Sequence, residues 1–117
     1  MPHRWGVFWA VLDPVIGSEQ GGIRPVLVIS ADEVNQSLPI VTVVPFTSFR
    51  EGRKVYPTEV FLKKESTGLP RDSIAMAHQI RTISKDRLRE PCGEVEEPNL
   101  RKQIERALMK HLGLVWI

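Results

Sequence analysis

Short runs of consecutive apolar residues, separated by turn-forming residues, dominate the first two thirds of the chain. Residues 7–12, 26–29 and 40–45 are rich in β-branched and aliphatic side chains, which is typical of buried strands. Residues 58–62 predict a further strand, and residues 73–83 predict either one long bent strand or two short ones. We therefore expect several short strands joined by turns.

A short helix is predicted between the second and third of these strands. Ser30 and Glu33 have the spacing of a capping box, with Ser30 as the N-cap. The helix should run from Ala31 towards Gln36 and end before Pro39.

The main helix is predicted at the C-terminal end. Pro98 suits the first helical position, and Gly113 suits the position after the last turn. Before this helix, residues 84–88 allow one helical turn and residues 89–95 a short edge strand. The elements together predict an α+β fold that is mostly β, a small β-barrel with a C-terminal α-helix. Apolar residues at helical spacing support the helix: Leu100, Ile104, Ala107, Leu108 and either His111 or Leu112.

Composition is that of one ordinary globular domain. The 117 residues, 42% hydrophobic and 26% charged, predict a single domain over residues 1–117. The lone cysteine, Cys92, excludes an internal disulfide and a cysteine-based zinc cluster. No signal-peptide core or membrane-spanning apolar run is present, so we expect a cytoplasmic protein without a membrane partner.

Charge is unevenly distributed along the chain. Residues 50–89 carry ten Lys and Arg against five Asp and Glu, which is a net charge of +5. The remaining residues carry six against nine, which is −3. A polyanion such as RNA would be attracted to the middle of the chain, although most of these charges are typical of any exposed surface.

One stretch combines a flexible loop with a rigid strand. Residues 17–22 contain three glycines among six residues, and Arg24 stands where this loop meets the strand 26–29. Pro25 fixes the backbone next to Arg24 and removes an N–H from the start of the strand. Two interpretations are open: an anion-binding site, or a hairpin loop with a surface arginine.

Six sequence pieces, in order, resemble the MazF/PemK (Kid) family of toxin endoribonucleases. Each piece is a weak signal, but the ordered set covers nearly the whole chain. The pieces are Leu-Asp-Pro at 12–14, Gly-Ser-Glu-Gln at 17–20 with Gly22, Arg-Pro-Val-Leu-Val-Ile at 24–29, Val-Pro-Phe-Thr-Ser at 44–48, Arg-Asp-Ser at 71–73 and Gln-Ile-Arg-Thr-Ile at 79–83.

The resemblance implies an SH3-like barrel with a C-terminal helix, acting as a homodimer. It also implies sequence-specific cleavage of single-stranded RNA without a metal or other cofactor. Further implied partners are a MazE-like antitoxin, whose disordered tail covers the RNA groove, and operator DNA bound only through that antitoxin.

Arg24 and Thr47 match the recurrent catalytic residues of the family. The Arg24 guanidinium stays charged and suits stabilisation of a phosphorane. The Thr47 hydroxyl can donate to a phosphate oxygen or orient the 2′-hydroxyl. Thr47 and Ser48 are expected just past the end of a strand, where a Thr-Ser pair would otherwise indicate only a turn. Ser48 is a candidate RNA contact.

The proton-transfer groups are less well defined. Glu19, on the glycine loop beside Gln20, is either a base or RNA contact or simply an exposed loop residue. Kid carries a catalytic arginine where this chain has Met76 and a histidine where it has Ser18, so the Arg–Asp–His scheme proposed for Kid does not transfer.

His78 stands where relatives commonly carry an acidic residue. By strand alternation it should share an apolar face with Ile74, Met76 and Ile80. It is either a structural histidine on that face or a group for proton transfer or base stacking, because histidine titrates near neutral pH.

Candidate RNA contacts follow in the middle of the chain. Residues 49–56 are expected to form a mobile basic loop, from which Arg50, Arg53 and Lys54 bind phosphates. Phe49 is a candidate for base stacking, whereas Phe46 is expected in the core. Gln79 is expected to contact RNA, Arg81 to have a structural role, and the three histidines are too far apart in sequence to suggest a metal site.

Two other functions remain open at this level. One is a non-enzymatic toxin that binds DNA gyrase, as the related CcdB fold does through its terminal helix. The other is a degenerate toxin kept as an antitoxin-binding or operator-binding module. Arg24 and Thr47 favour chemistry over both.

Overall fold

The computed structural model describes residues 2–114 and consists of an antiparallel sheet with one long helix. The strand order is β4-β5-β3-β2-β1-β7, and β6 pairs with β3 beside this path. The mostly β, α+β fold with a C-terminal helix is therefore confirmed. The strands are β1 (Gly6–Val11), β2 (Ile23–Val28), β3 (Ile40–Ser48), β4 (Glu59–Leu62), β5 (Ser73–Met76), β6 (Arg81–Ser84) and β7 (Leu88–Glu94), and the helices are α1 (Asp32–Ser37) and α2 (Pro98–Leu112).

The long strand β3 joins the two halves of the sheet. Its first half pairs with β2 and β6, and its last three residues pair with β5. β3 therefore leaves β2 near Pro45 and continues into the second half of the sheet. This divergence opens a gap between β2 and β3 beside residues 46–48, which becomes important for the site.

Each face of the sheet buries its own apolar cluster. The larger cluster includes Val7, Leu27 and Phe46 and is covered by α2 through Ile104 and Ala107. The smaller cluster lies on the opposite face and is built on β1, β2, β3 and β6. The predicted core position of Phe46 is confirmed, since this side chain is fully buried.

The predicted start of β2 and the predicted N-cap of α1 are both wrong. β2 begins at Ile23, so Arg24 and Pro25 lie inside the strand. The N-cap of α1 is Ala31, without a side-chain cap. Ser30 instead bonds the buried Asn35 through its hydroxyl, which also accepts a hydrogen bond from the N–H of Thr42. A tertiary contact thus replaces the local capping box.

Residues 73–83 form two short strands, one of the two alternatives expected. Between β5 and β6 the chain makes a 3-10 turn, Ala77–Gln79. The alternation predicted for His78 is therefore wrong, because the turn takes its side chain off the strand face and into solvent.

The C-terminal elements follow the sequence closely. α2 begins at Pro98 and ends against Gly113, which has a left-handed backbone with φ of 70°. The single helical turn, Lys85–Arg87, and the edge strand β7 are also present as expected. The ends of the single domain predicted over 1–117 lie outside the described residues. Within 2–114, no helix is long and apolar enough to cross a membrane.

Candidate active site

Arg24 lies at the gap where β3 leaves β2. It pairs with Ala10 of β1 on one side, and on the other it lies just beyond the last β2–β3 pair, Val26 with Pro45, near the segment of β3 that carries Thr47. The half-buried side chain donates from Nε to the Gly21 carbonyl at 3.2 Å and from an Nη to the Phe46 carbonyl at 3.3 Å. Its guanidinium therefore bridges the glycine loop and the chain just before Thr47.

Pro25 explains why the Phe46 carbonyl is available. Ile29 donates its N–H to the Thr42 carbonyl at 3.0 Å. Alternate residues of β2 therefore point their N–H groups towards β3, and in this register an N–H at residue 25 would bond the Phe46 carbonyl. A proline has no N–H to donate. The guanidinium of Arg24 takes the place of that missing donor.

Thr47 and Ser48 lie within β3, not past its end as expected. Their partners in β5 are Ile74 and Ser73, respectively. Because side chains alternate along a strand, Thr47 faces the same side as Arg24, whereas Ser48 faces the opposite side with Phe46. The two hydroxyls are therefore separated by the sheet.

The glycine loop folds back on itself. Gly17 and Gly22 have positive φ values of 59° and 76°, which other residues adopt with strain. The exposed Glu19 carboxylate accepts the N–H of Ile16, and the Asp13 carboxylate accepts the N–H of Gly22 at 2.9 Å. The loop is thus an ordered turn that carries Glu19 at its tip.

Gln79 connects this loop to the turn between β5 and β6. Its side-chain oxygen accepts the N–H of Gln20, and its side-chain nitrogen donates to the Ser18 carbonyl, both at 3.3 Å. The structure therefore brings together Arg24 and the loop residues Glu19 and Gln20, with Gln79 holding the loop.

Two further arginines hold the base of the loop. Arg81 donates to the Leu12 carbonyl at 3.3 Å, in agreement with its expected structural role. Arg87 donates to the carbonyls of Val11 and Asp13. The roles of Arg87 and Asp13 are not apparent from the sequence. Arg87 bonds Asp13 across 74 residues and Asp13 bonds Gly22 across 9 residues, and no local pattern indicates either bond.

The basic loop after β3 is anchored by an ion pair. Arg53 donates from both Nη atoms to the two Glu59 carboxylate oxygens, at 3.0 and 2.9 Å. The Glu59 side chain is only 2% exposed and also accepts the N–H of Tyr56. The hydrogen bonds from Arg53 lower the pKa of Glu59 despite the opposing effect of its burial. Glu59 in turn raises the pKa of Arg53.

Phe49 is also packed, while Arg50 and Lys54 are exposed. The Phe49 ring meets the Phe61 ring edge-on, with centroids 4.9 Å apart. Lys54 lies over the Tyr56 ring at 5.9 Å. Because Phe61 shares a row of the sheet with Ile74 and Thr47, this loop covers the face that carries Thr47.

His78 belongs to the β4 side of the site. Its Nδ1 lies 3.2 Å from the Thr58 hydroxyl. It shares no hydrogen bond with Arg24 or the glycine loop in the described chain. The apolar company expected for it is absent, since it is exposed.

The site is rich in unneutralised positive charge. Among residues 2–114, the four ion pairs involve His3, Arg4, Arg53 and Arg101, so Arg24, Arg81 and Arg87 have no carboxylate partner there. In the same range no three His, Cys, Asp or Glu side chains form a group that could hold a metal. The arrangement suits binding of a phosphate by guanidinium groups.

Comparison with known proteins identifies the family. A model of PemK-like, MazF-like toxins of type II toxin–antitoxin systems matches residues 3–112. The chain belongs to this family. Among this toxin's relatives, Endoribonuclease MazF9 of Mycobacterium tuberculosis is 43% identical over 117 residues, covering 95% of this chain and 97% of that protein. Endoribonuclease MazF of Staphylococcus saprophyticus is 40% identical over 114 residues, covering 97% and 93%.

Solved structures agree on the fold of this MazF-like toxin. A mycobacterial endoribonuclease, solved in complex with its cognate antitoxin, aligns over 100% of both chains with a TM-score of 0.77 at 29% identity. The small barrel with a C-terminal helix is thus the fold of the family as well as of this chain.

Proposed function

We propose that this protein is the toxin of a type II toxin–antitoxin system and a metal-independent endoribonuclease that cleaves single-stranded RNA. The observation that carries this proposal is the placement of Arg24. Its permanently charged guanidinium bonds the glycine loop at Gly21 and β3 at Phe46, next to Thr47, without a carboxylate partner in the described chain. Cleavage of cellular RNA would inhibit translation and growth.

The proposed reaction is an internal transfer at phosphorus. The 2′-oxygen attacks the adjacent phosphorus, the bond from phosphorus to the 5′-oxygen breaks, and a 2′,3′-cyclic phosphate and a 5′-hydroxyl result. A base accepts the proton of the 2′-hydroxyl, and an acid returns a proton to the departing 5′-oxygen. Arg24 stabilises the charge that builds on the phosphorane oxygens, while the Thr47 hydroxyl orients the 2′-hydroxyl or donates to a phosphate oxygen.

Glu19 is the group we propose as the base. It lies two residues from Gly21, whose carbonyl binds Arg24, so the loop that carries it is tied to the proposed phosphate site. Its carboxylate is exposed and bonds only the backbone of its own turn in the described chain, from which RNA can displace it. His78 bonds Thr58 on the other side of the site, which makes it the weaker candidate.

RNA binding is proposed along the face that carries Thr47. Arg50 and Lys54 are exposed on the basic loop and would contact phosphates, with Phe49 at its base. Arg53 is engaged with Glu59, so we propose that it orders this loop while its remaining exposed edge faces the RNA. Gln20 and Gln79 are further proposed contacts, and Ser48 is a proposed contact on the opposite side of β3.

We further propose a cytoplasmic homodimer controlled by a MazE-like antitoxin, with operator DNA bound only through that antitoxin. Support comes from family membership and from the mycobacterial relative solved with its cognate antitoxin. A dimer would place two copies of the Arg24 site on one particle.

The direct test incubates the purified protein with a long single-stranded RNA in EDTA. We expect discrete cuts from the wild-type protein and their loss in Arg24→Ala, by roughly 10²- to 10³-fold in kcat. Arg106→Ala is the matched control, since Arg106 is an exposed arginine of α2 and should cut normally. Intact RNA at high protein concentration, together with inhibition of DNA gyrase, would instead support the gyrase-binding alternative.

A further inference from the structure

Two cavities meet at Trp9. The first, about 320 Å³, is lined by Trp9, Ile23 and Pro25 and reaches Arg24 and Arg71. The second, about 370 Å³, is lined by Trp9, Ile23, Arg89 and Glu90. Because both are lined by Trp9 and Ile23, they adjoin at these two side chains on β1 and β2, and the term groove covers the two together.

A β-bulge opens the second half of this groove. Phe8 pairs with Pro91 and Ala10 pairs with Leu88, so the two residues Arg89 and Glu90 together face the single residue Trp9. A bulge of this kind interrupts the ladder and redirects side chains. It leaves room beside the indole that a regular edge strand would fill.

On its other side Trp9 pairs with Pro25 in the regular β1–β2 ladder. Beyond Pro25 the ladder to β3 does not continue, because the last β2–β3 pair is Val26 with Pro45 and Pro25 has no N–H to offer β3. Trp9 is partly buried and packs against the main core cluster, and Ile23, which lines both cavities with it, is 70% exposed. A large aromatic face therefore borders open space on a rigid strand.

The groove is positively charged. Its walls carry Arg24, Arg71 and Arg89 against the single carboxylate of Glu90. None of the three arginines forms an ion pair within the described part of the chain. An aromatic platform between guanidinium groups fits an anionic chain that carries flat rings.

We infer that this groove, which we call the Trp9 groove, binds a nucleotide next to the scissile phosphate of single-stranded RNA. The base stacks on Trp9, Arg71 and Arg89 contact the flanking phosphates, and Ser48, which lines the first cavity, contacts the base edge. Arg24 connects the groove to the cleavage site, because it lines the first cavity and its guanidinium bonds the carbonyl of Phe46, the residue before Thr47. This inference rests on the proposed endoribonuclease function.

The experiment combines protein and RNA substitutions. The probe is a short RNA spanning a cut mapped in the EDTA assay, with a 2′-deoxy nucleotide at the cut so that it binds without being cleaved. The wild-type protein, Trp9→Ala and Trp9→Phe are each tested for their affinity for this intact RNA. The same affinities are then measured for RNAs that lack one base at a time. Melting temperatures show whether each variant is folded.

We expect Trp9→Ala to weaken binding on the order of 10- to 100-fold and Trp9→Phe to restore most of it. At one nucleotide beside the cut, removal of the base should weaken wild-type binding but have little further effect in Trp9→Ala. Such coupling at a single position is a result that a merely structural Trp9 would not give. Trp5→Phe is a control, since Trp5 is buried in the core cluster.

If the affinity losses from Trp9→Ala and from base removal add independently at every position, while the wild-type protein cuts and binds RNA, the inference is wrong and the proposed function stands. If Trp9→Ala binds RNA normally but loses affinity for an antitoxin peptide or for a second copy of this chain, the groove is a protein interface and the inference is wrong. A wild-type protein that neither cuts nor binds RNA would overturn both the proposed function and the inference.

Discussion

Among single residues, the site depends most on Pro25, which cannot make a backbone hydrogen bond from β2 to β3. Pro25 leaves the Phe46 carbonyl without a backbone donor, and Arg24 supplies the donor from its side chain. The cation is thereby fixed in the gap between two strands, near the segment of β3 that carries Thr47. From the sequence, Arg24 and Pro25 are expected just before the strand, whereas both lie inside it, and the partner carbonyl is distant in sequence with no local pattern to indicate it.

Replacement of Thr47 by valine tests the role of its hydroxyl. Valine keeps the β-branched shape in β3, so Thr47→Val should fold normally but lose on the order of 10²-fold in kcat, because one donor to the reacting groups is gone. Single-turnover cleavage measures this loss. Thr82→Val is the control, since the exposed Thr82 lies in β6 and bonds Thr42. Equal kcat values for Thr47→Val and the wild-type protein would exclude a catalytic hydroxyl.

Substitution of Glu19 and of His78 by glutamine distinguishes the two candidates for the general base. Glu19→Gln should lower kcat by roughly 10²- to 10⁴-fold and remove the rise in rate with pH that a carboxylate base produces. His78→Gln should leave kcat/KM and its pH profile nearly unchanged. Glu33→Gln controls for loss of an exposed carboxylate, because Glu33 lies in α1. The reverse outcome would assign proton transfer to His78.

At the scale of elements, the strands and α2 followed from local periodicity, whereas loops and strand ends did not. β3 extends through Ser48 because β5 supplies partners, and a helical turn at His78 separates the two short strands β5 and β6. The loop after β3 reads as mobile and basic in the sequence. In the structure it is held by the pairing of Arg53 with Glu59, a contact made six residues apart with no regular spacing.

The ion pair of Arg53 with Glu59 should make stability depend on pH. The pKa of Glu59 is lowered in the folded protein from an ordinary value of 4.5. Its stabilising contribution is therefore present above pH 4.5 and is lost as the pH falls through the lowered pKa. Glu59→Gln should reduce the free energy of unfolding by about 1–3 kcal/mol at pH 7, because it removes charged hydrogen bonds to a buried group.

Denaturant unfolding at several pH values measures this effect. The difference between the wild-type protein and Glu59→Gln should narrow as the pH is lowered below 4.5. Arg50→Ala, on the exposed part of the same loop, should change stability by less than about 0.5 kcal/mol. A difference that stays constant between pH 7 and pH 3 would show that the ionised pair does not stabilise the fold.

At the scale of the whole molecule, two layers of apolar residues hold a sheet whose central strands diverge. The divergence of β3 from β2 makes an opening at which Arg24 bonds the Phe46 carbonyl, and the first cavity of the Trp9 groove is lined by both residues. Family resemblance indicated Arg24 and Thr47 from the sequence. The anchoring by Gln79 and Arg87, and the groove at Trp9, depend on contacts between distant strands and are apparent only in the fold.

The proposed cleavage depends on attack by the 2′-hydroxyl without a metal, so removal of that one hydroxyl is the decisive test. An RNA containing a mapped cut is compared with the same RNA carrying a single 2′-deoxy nucleotide at the cut, both in EDTA. We expect the first RNA to give a 5′-hydroxyl and a 2′,3′-cyclic phosphate, and the second to stay intact at that bond. Cleavage of the 2′-deoxy bond, or a 5′-phosphate product, would contradict the mechanism.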